Sequence, residues 1–168
     1  MSNNVVSAME EGFFRAGMTT LKFNFRGVGR STGRYSDGIG ETEDVLDACR
    51  FLKDRIGMDR PFVLAGYSFG AWVAGNAFSS LVGPLDLFFV AFPLSAYPAP
   101  DLETFQGRLT LIGGSRDDIC PIDDLLVFHK SLRCNKYLKV IPTSHFFEGR
   151  EEEISDFIVE TYTAKDRQ

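Results

Sequence analysis

Segments with a helical pattern and segments with a strand pattern alternate along nearly the whole chain. Strands that are separated by helices pair in parallel, and a parallel sheet is covered by helices on both faces. The pattern therefore predicts an α/β fold with a mainly parallel sheet, and a length of 168 residues fits a single domain over residues 1–168. The predicted strands are 19–25, 61–66, 86–92, 108–112 and 136–141, and the predicted helices are 3–15, 41–56, 69–80, 122–133 and 151–163.

Composition and charge exclude several classes of protein. The chain is 44% hydrophobic and 24% charged, which is ordinary for a globular protein. No apolar run reaches the roughly 18 residues that a membrane helix needs. A net charge of −5 argues against a nucleic-acid-binding surface. Three irregularly spaced cysteines favour neither a disulfide framework nor a metal site, and no signal peptide is visible, so we expect a cytoplasmic protein without cofactors.

The segment Gly66–Gly70 has the pattern G-x-S-x-G, with Ser68 at its centre. It follows an apolar strand and precedes a helix rich in small residues, which is the context of a strained turn that lifts a nucleophilic serine out of a sheet. The N–H of Phe69 would then lie at a helix N-terminus and stabilise an oxyanion. The alternative is a Gly/Ser turn without chemistry.

A nucleophilic serine needs a base and an orienting carboxylate. His129 falls inside a predicted helix, whereas His145 follows a predicted strand and is the better candidate for the base. Asp117 or Asp118, after another strand, can orient it. The order serine, aspartate, histidine is the chain order of α/β-hydrolases. The alternatives are a histidine packed in its loop and an Asx turn at the aspartates.

On these motifs the chain resembles α/β-hydrolases, and most closely the bacterial dienelactone-hydrolase-like predicted hydrolases. The segments that carry the resemblance are Phe23–Ser31, Gly66–Ala71, Gly114–Pro121 and His145–Arg150. The resemblance implies a serine hydrolase of carboxylic esters or thioesters, with a peptidase as an alternative, and it implies Asp117 as the triad acid. Dienelactone hydrolases proper carry cysteine where this chain has Ser68.

The amino-terminal part departs from that family. In such hydrolases, strands and a loop with a His-Pro and Gly-Gly pattern precede the first helix, and the loop supplies a second oxyanion N–H. Here the first helix begins almost at Met1, and the strand between 19–25 and 61–66 has no counterpart. We expect an N-terminally shortened sheet in which those two strands pair directly, or in which another chain fills the gap, as in a homo-oligomer. Because a lost donor costs about 10²–10³ in kcat, a weak or inactive binding or assembly module is the alternative function.

The substrate is expected to be a small-molecule ester. We predict that Tyr67, Arg26, Tyr97 and Phe146 line its site. The segment Ser95–Gln106 is too short for a large helical lid, which predicts an open site. Cys120 is an alternative nucleophile, but its sequence lacks the G-x-S-x-G type of turn.

Overall fold

A computed structural model describes residues 3–57, 60–83 and 85–163. The helices in this part of the chain are α1 (Asn4–Arg15), α2 (Ile39–Ile56), α3 (Phe69–Ala77), α4 (Ile122–Ser131) and α5 (Glu151–Tyr162), with a 3₁₀ turn at Phe78–Ser80. The strands are β1 (Phe62–Tyr67), β2 (Leu85–Val90), β3 (Arg108–Gly114) and β4 (Asn135–Ile141). None of these helices is long and apolar enough to cross a membrane.

The four strands form one parallel sheet in the order β1-β2-β3-β4. Successive side chains of β2 alternate between its two faces. Phe88 and Val90 pack in a cluster with α1 and α5, whereas Leu87 and Phe89 pack in a cluster with α3 and α4. The predicted parallel sheet with helices on both faces is confirmed, and because both faces of β2 are buried, that strand reads as a continuous apolar run.

The prediction of a strand at 19–25 is wrong, and so is its direct pairing with β1. In the described part of the chain, residues 19–24 make no backbone–backbone hydrogen bond, and the Phe25 carbonyl only accepts one from Val28. Side chains hold the segment instead. Phe23 and Phe25 pack against α2, and Lys22 forms an ion pair with Glu10 of α1. The alternating pattern describes which side chains are buried, but a strand also requires a neighbouring strand.

Helix α2 begins two residues before its predicted start. The buried side chain of Glu41 accepts hydrogen bonds from the backbone N–H groups of Ser36 and Gly38, at 2.9 Å each. This capping interaction satisfies donors that the helix itself leaves unpaired. At the opposite side of the sheet, the Asn4 amide donates to the carbonyl of Phe146 at 2.8 Å, which attaches the start of α1 to the loop after β4.

Candidate active site

Ser68 lies in the sharp turn that joins β1 to α3. Its backbone has φ 51° and ψ −123°, a conformation that non-glycine residues rarely adopt. A side chain at Gly66 would place its Cβ 2.4 Å from the Gly70 carbonyl oxygen and 2.6 Å from Ala71. The first glycine of the motif is therefore required because β1 and α3 approach each other closely at this point.

The structure brings the side chains of Ser68, His145 and Asp117 into one chain of hydrogen bonds. The Ser68 Oγ lies 3.0 Å from the His145 Nε2, and the His145 Nδ1 lies 2.9 Å from the Asp117 Oδ2. His145 and Asp117 are both buried, with exposed fractions of 6% and 5%. With a proton on Nδ1, the imidazole donates to the carboxylate and can accept from the serine hydroxyl.

Asp117 is held in place by its own loop. Its Oδ1 accepts hydrogen bonds from the N–H groups of Ile119 and Cys120, at 2.9 and 2.7 Å, which leaves Oδ2 for His145. Asp118 is exposed, and it makes no hydrogen bond to His145. Of the two aspartates left open by spacing, Asp117 is the one that contacts the histidine.

The loop that carries His145 is fixed against the loop after β3. The N–H of Ser115 donates to the Ile141 carbonyl at 2.8 Å, and the N–H of Arg116 donates to the Thr143 carbonyl at 3.0 Å. A Cβ on Gly114 would lie 2.6 Å from the same Thr143 oxygen, so this glycine allows the two loops to approach. Parallel strands end at the same edge of the sheet, and for that reason Asp117 and His145 meet.

Tyr67 supports the histidine from the last position of β1. Its hydroxyl donates to the His145 carbonyl at 3.0 Å, and its ring lies 5.3 Å from the imidazole. Burial, together with the charge of Asp117, raises the pKa of Tyr67 to about 12. The phenol therefore stays protonated and remains a hydrogen-bond donor at neutral pH.

Phe69 contributes its backbone to the site. Its N–H is the first of α3 and has no acceptor within that helix, since the first four N–H groups of a helix lack intrahelical partners. It directly follows Ser68, in the position expected of an oxyanion donor.

Aromatic side chains lie on both sides of the Ser68 turn. On the histidine side, Phe146 is 54% exposed and its ring lies 5.6 Å from the imidazole. On the α3 side, the ring of Phe69 lies within 6 Å of several other aromatic rings. These rings belong to Phe25, Tyr35, Trp72 and Tyr97, and the last two stack at 4.3 Å. Sequence reasoning did not assign Tyr35 to the site, although an exposed aromatic residue in a glycine-rich loop is a signal that could have indicated it.

Arg26 is bound by acidic side chains of α2. Its guanidinium donates to Asp44 at 2.9 and 3.1 Å and to Glu43 at 3.1 Å, and the Arg26 N–H donates to Asp44 at 2.8 Å. The hydrogen bond to Asp44 raises the pKa of the Arg26 guanidinium. Arg26 makes no hydrogen bond with Ser68, Asp117 or His145, and the sequence gave no sign of its pairing with α2.

The other candidate groups do not join the serine. The Nε2 of His129, in α4, is buried without a hydrogen-bond partner in the described structure, and burial lowers the pKa of this imidazole. Ligand-type atoms of Asp117, Cys120 and His145 lie within 4.8 Å of one another, but the carboxylate oxygens and both imidazole nitrogens already have hydrogen-bond partners. Burial, and then the charge of Asp117, raises the pKa of the Cys120 thiol to about 12. A thiol of that pKa is a poor nucleophile at neutral pH.

Comparison with known proteins places this geometry in a family. No family model matches the sequence. The chain is 28% identical over 176 residues to RP471, an uncharacterized protein of Rickettsia prowazekii strain Madrid E; the match covers 94% of this chain and 70% of RP471. The crystal structure of XC6422 from Xanthomonas campestris, described as an α/β serine hydrolase without a lid, is 27% identical with a TM-score of 0.83, over 98% of this chain and 76% of that one.

A solved structure from Coxiella burnetii, described as an α/β serine hydrolase homologue, is 31% identical to this chain. The two superpose with a TM-score of 0.84 over 96% of this chain and 77% of the Coxiella chain. Identity and coverage at this level, together with the parallel sheet and the strained serine turn, agree with the family that the sequence motifs resemble. The chain therefore belongs to the α/β-hydrolase superfamily.

Proposed function

We propose that the protein is a serine hydrolase that cleaves carboxylic esters or thioesters through an acyl-enzyme. The observation that carries the proposal is the continuous hydrogen-bonded series from Ser68 through His145 to Asp117, with the serine held in a strained turn. The descriptions of the Coxiella and Xanthomonas structures as serine hydrolases support the same chemistry.

In the acylation step, the Ser68 Oγ attacks the carbonyl carbon of the ester while its proton passes to the His145 Nε2. The resulting imidazolium is stabilised by the Asp117 carboxylate, 2.9 Å from Nδ1. Negative charge develops on the former carbonyl oxygen, and the Phe69 N–H at the N-terminus of α3 stabilises it. When the intermediate collapses, the bond from the carbonyl carbon to the alkoxy oxygen or thiol sulfur breaks, and the leaving group takes the proton from Nε2.

Deacylation repeats these steps with water as the nucleophile. His145 takes a proton from the water as it attacks the acyl carbon, and then returns that proton to the Ser68 oxygen when the acyl–serine bond breaks. The products are a carboxylic acid and the regenerated serine. Tyr67 maintains the position of His145 throughout, because its hydroxyl binds the backbone carbonyl of that residue.

The surroundings of Ser68 favour a small or extended substrate in an open site. The connection between β2 and β3 contains no helix in its described residues, 91–107, and so provides no helical lid. Tyr67 and Phe146 on one side, and Phe69 and Tyr97 on the other, offer apolar contacts to an acyl or alcohol group. We assign Arg26 to the support of its loop rather than to the substrate, because its guanidinium is already bound by Asp44.

A fluorophosphonate probe tests the proposal directly, since it phosphonylates only an activated serine. We expect one probe per folded chain, no labelling of Ser68→Ala, and unchanged labelling of Ser80→Ala, an exposed serine after α3. Folding of each variant is verified by circular dichroism. A folded wild-type chain that takes up no probe, or a Ser68→Ala chain labelled equally, would contradict the proposal.

A non-catalytic binding module is the second candidate, and the open edge of β1 favours it. It predicts no turnover of p-nitrophenyl acetate by the folded chain. Turnover that is lost in both Ser68→Ala and His145→Ala would exclude this candidate. The same assay with an acyl p-nitroanilide distinguishes a peptidase, which shares the mechanism, from an esterase.

A further inference from the structure

A large groove runs along the edge of the sheet next to β1. Its volume is about 1240 Å³, above the roughly 300–1,000 Å³ of typical small-molecule pockets. One wall is β1 and the other is the segment 19–25, which was expected to pair with β1 but lies apart from it. The groove therefore occupies the space between two lengths of chain that the sheet does not connect.

Helices close the groove above and below the plane of the sheet. Met9 and Phe13 of α1 line it on one side, and Val45 and Cys49 of α2 line it on the other. This is the environment of an interior strand of a parallel sheet, whose side chains are apolar on both faces because helices cover both. An occupant that continues the sheet would need apolar side chains in both directions.

The two walls also present polar backbone groups. Within the described residues, β1 pairs only with β2, so the backbone groups on its other edge have no strand partner. Residues 19–24 have no backbone–backbone hydrogen bond at all. Unpaired edges of this kind are templates for another strand. A lipid chain or a small apolar ligand would fill the volume but would leave these donors and acceptors unsatisfied.

The known relatives contain polypeptide that this chain does not match. The superposition on the Coxiella structure covers 96% of this chain but only 77% of that one, and the match to RP471 covers 70% of RP471. Relatives of the same fold therefore have additional chain length, which is the material that such a groove requires.

From these observations we propose that the groove binds an extended apolar segment of another polypeptide, which pairs with β1 as a parallel strand and lies between β1 and the segment 19–25. A strand of about six residues, 17–20 Å long, would match the length of β1. Its carboxyl end would lie at the Ser68 edge of the sheet, because the bound strand runs in the same direction as β1.

Hydrogen–deuterium exchange with the 168-residue chain tests this inference without any measurement of hydrolysis. The probes are a small panel of synthetic twelve-residue peptides, each with a central run of valine, isoleucine and leucine in varied order and with terminal lysines for solubility. We expect at least one peptide to bind saturably and to slow exchange at 62–67 and 19–25 by about tenfold or more, with no change at β4. The Ser68→Ala chain should bind it equally, so a failure of the proposed hydrolase activity would not affect the result.

The matched control is the bound peptide with N-methyl groups on alternate backbone nitrogens, which keeps its side chains and removes its hydrogen-bond donors. We expect its affinity to fall by at least tenfold. Equal affinity of the methylated peptide, protection of β4 instead, or no binding by any member of the panel would overturn the inference. So would dodecanoate that protects the same amides as well as the peptide does, or a dimer whose buried 62–67 amides no peptide can compete for.

Discussion

The end of β1 and the edge of β1 differ sharply in how completely their polar groups are paired. At its carboxyl end, Ser68, His145 and Asp117 are joined by hydrogen bonds of 2.9–3.0 Å. Along its outer edge, the backbone has no strand partner in the described chain, and a groove of about 1240 Å³ lies beside it. The same six-residue strand therefore supports a fully paired catalytic geometry and an incomplete sheet.

The difference teaches that the site and the edge depend on different parts of the molecule. The residues of the site come from loops after β1, β3 and β4, and these strands pair with one another through β2. The edge depends on polypeptide beyond β1. Variants of the loops should therefore change hydrolysis with little effect on the groove, and variants of the groove wall should do the reverse.

The largest expected effect is the loss of the base. His145→Ala should lower kcat/KM for p-nitrophenyl acetate by at least about 10⁴-fold, because the proton of Ser68 would have no acceptor. His129→Ala, in α4, should leave it within about twofold. Steady-state rates of purified variants measure both changes.

This pair of histidines compares two residues of one type within one fold. If His129→Ala reduced turnover as strongly as His145→Ala while the chain stayed folded, the loop site would not be the seat of the activity. Hydrogen exchange at 62–67 should be the same in both variants.

The second effect separates the two aspartates. Asp117→Asn should lower kcat by about 10⁴-fold, since the amide favours the wrong imidazole tautomer, whereas Asp118→Asn should have almost no effect because its side chain is exposed. Phosphonylation rates of Ser68 provide an independent measurement. A large loss in Asp118→Asn alone would show that the orienting carboxylate is not the one that contacts His145.

Much of the site could be predicted from sequence because its signals are local. The glycines around Ser68 are required by close backbone contacts, and the rule that parallel strands end at one edge identifies the loops that hold Asp117 and His145. Spacing could not choose between Asp117 and Asp118, because that choice depends on which carboxylate the Ile119 and Cys120 amides hold.

The segment 19–25 shows why other features could not be predicted. Its alternation of apolar and polar residues is typical of a strand, yet strand pairing depends on a neighbour that no local pattern encodes. The role of Arg26 failed for a related reason. Asp44 lies 18 residues away, and only the fold shows that it binds the guanidinium.

A smaller effect concerns the wall of the groove. Asp44→Asn should lower the free energy of unfolding by about 1 kcal/mol, because the hydrogen bonds from Arg26 to its carboxylate are partly exposed to solvent. Exchange at 19–31 should increase while kcat changes less than twofold. Asp47→Asn, which removes an exposed ion pair on the same helix, is the matched control and should cost less. Urea denaturation measures the two costs.

The pH dependence of this cost follows from the carboxylate. Burial opposes ionisation of Asp44, but the hydrogen bonds from Arg26 outweigh it and lower the pKa of Asp44 below its usual value. The stabilisation is therefore complete above the unfolded pKa of about 3.9 and disappears as the pH falls through the lower folded value. Equal unfolding free energies of wild type and Asp44→Asn at pH 7 would mean that other contacts hold this wall.

The smallest expected effect is that of thiol alkylation on hydrolysis. With a pKa of about 12, the buried Cys120 thiol is ionised in only about one molecule in 10⁴ to 10⁵ at pH 7.5, and the thiolate is the reactive form. Iodoacetamide should modify the less buried Cys134 first and leave turnover within about twofold, with mass spectrometry locating the adducts. Loss of turnover in step with an adduct on Cys120, prevented by Cys120→Ser, would show instead that reagents reach the interior of the triad loop. The paired end of β1 would then be as open as its unpaired edge, and the contrast between the two would not hold.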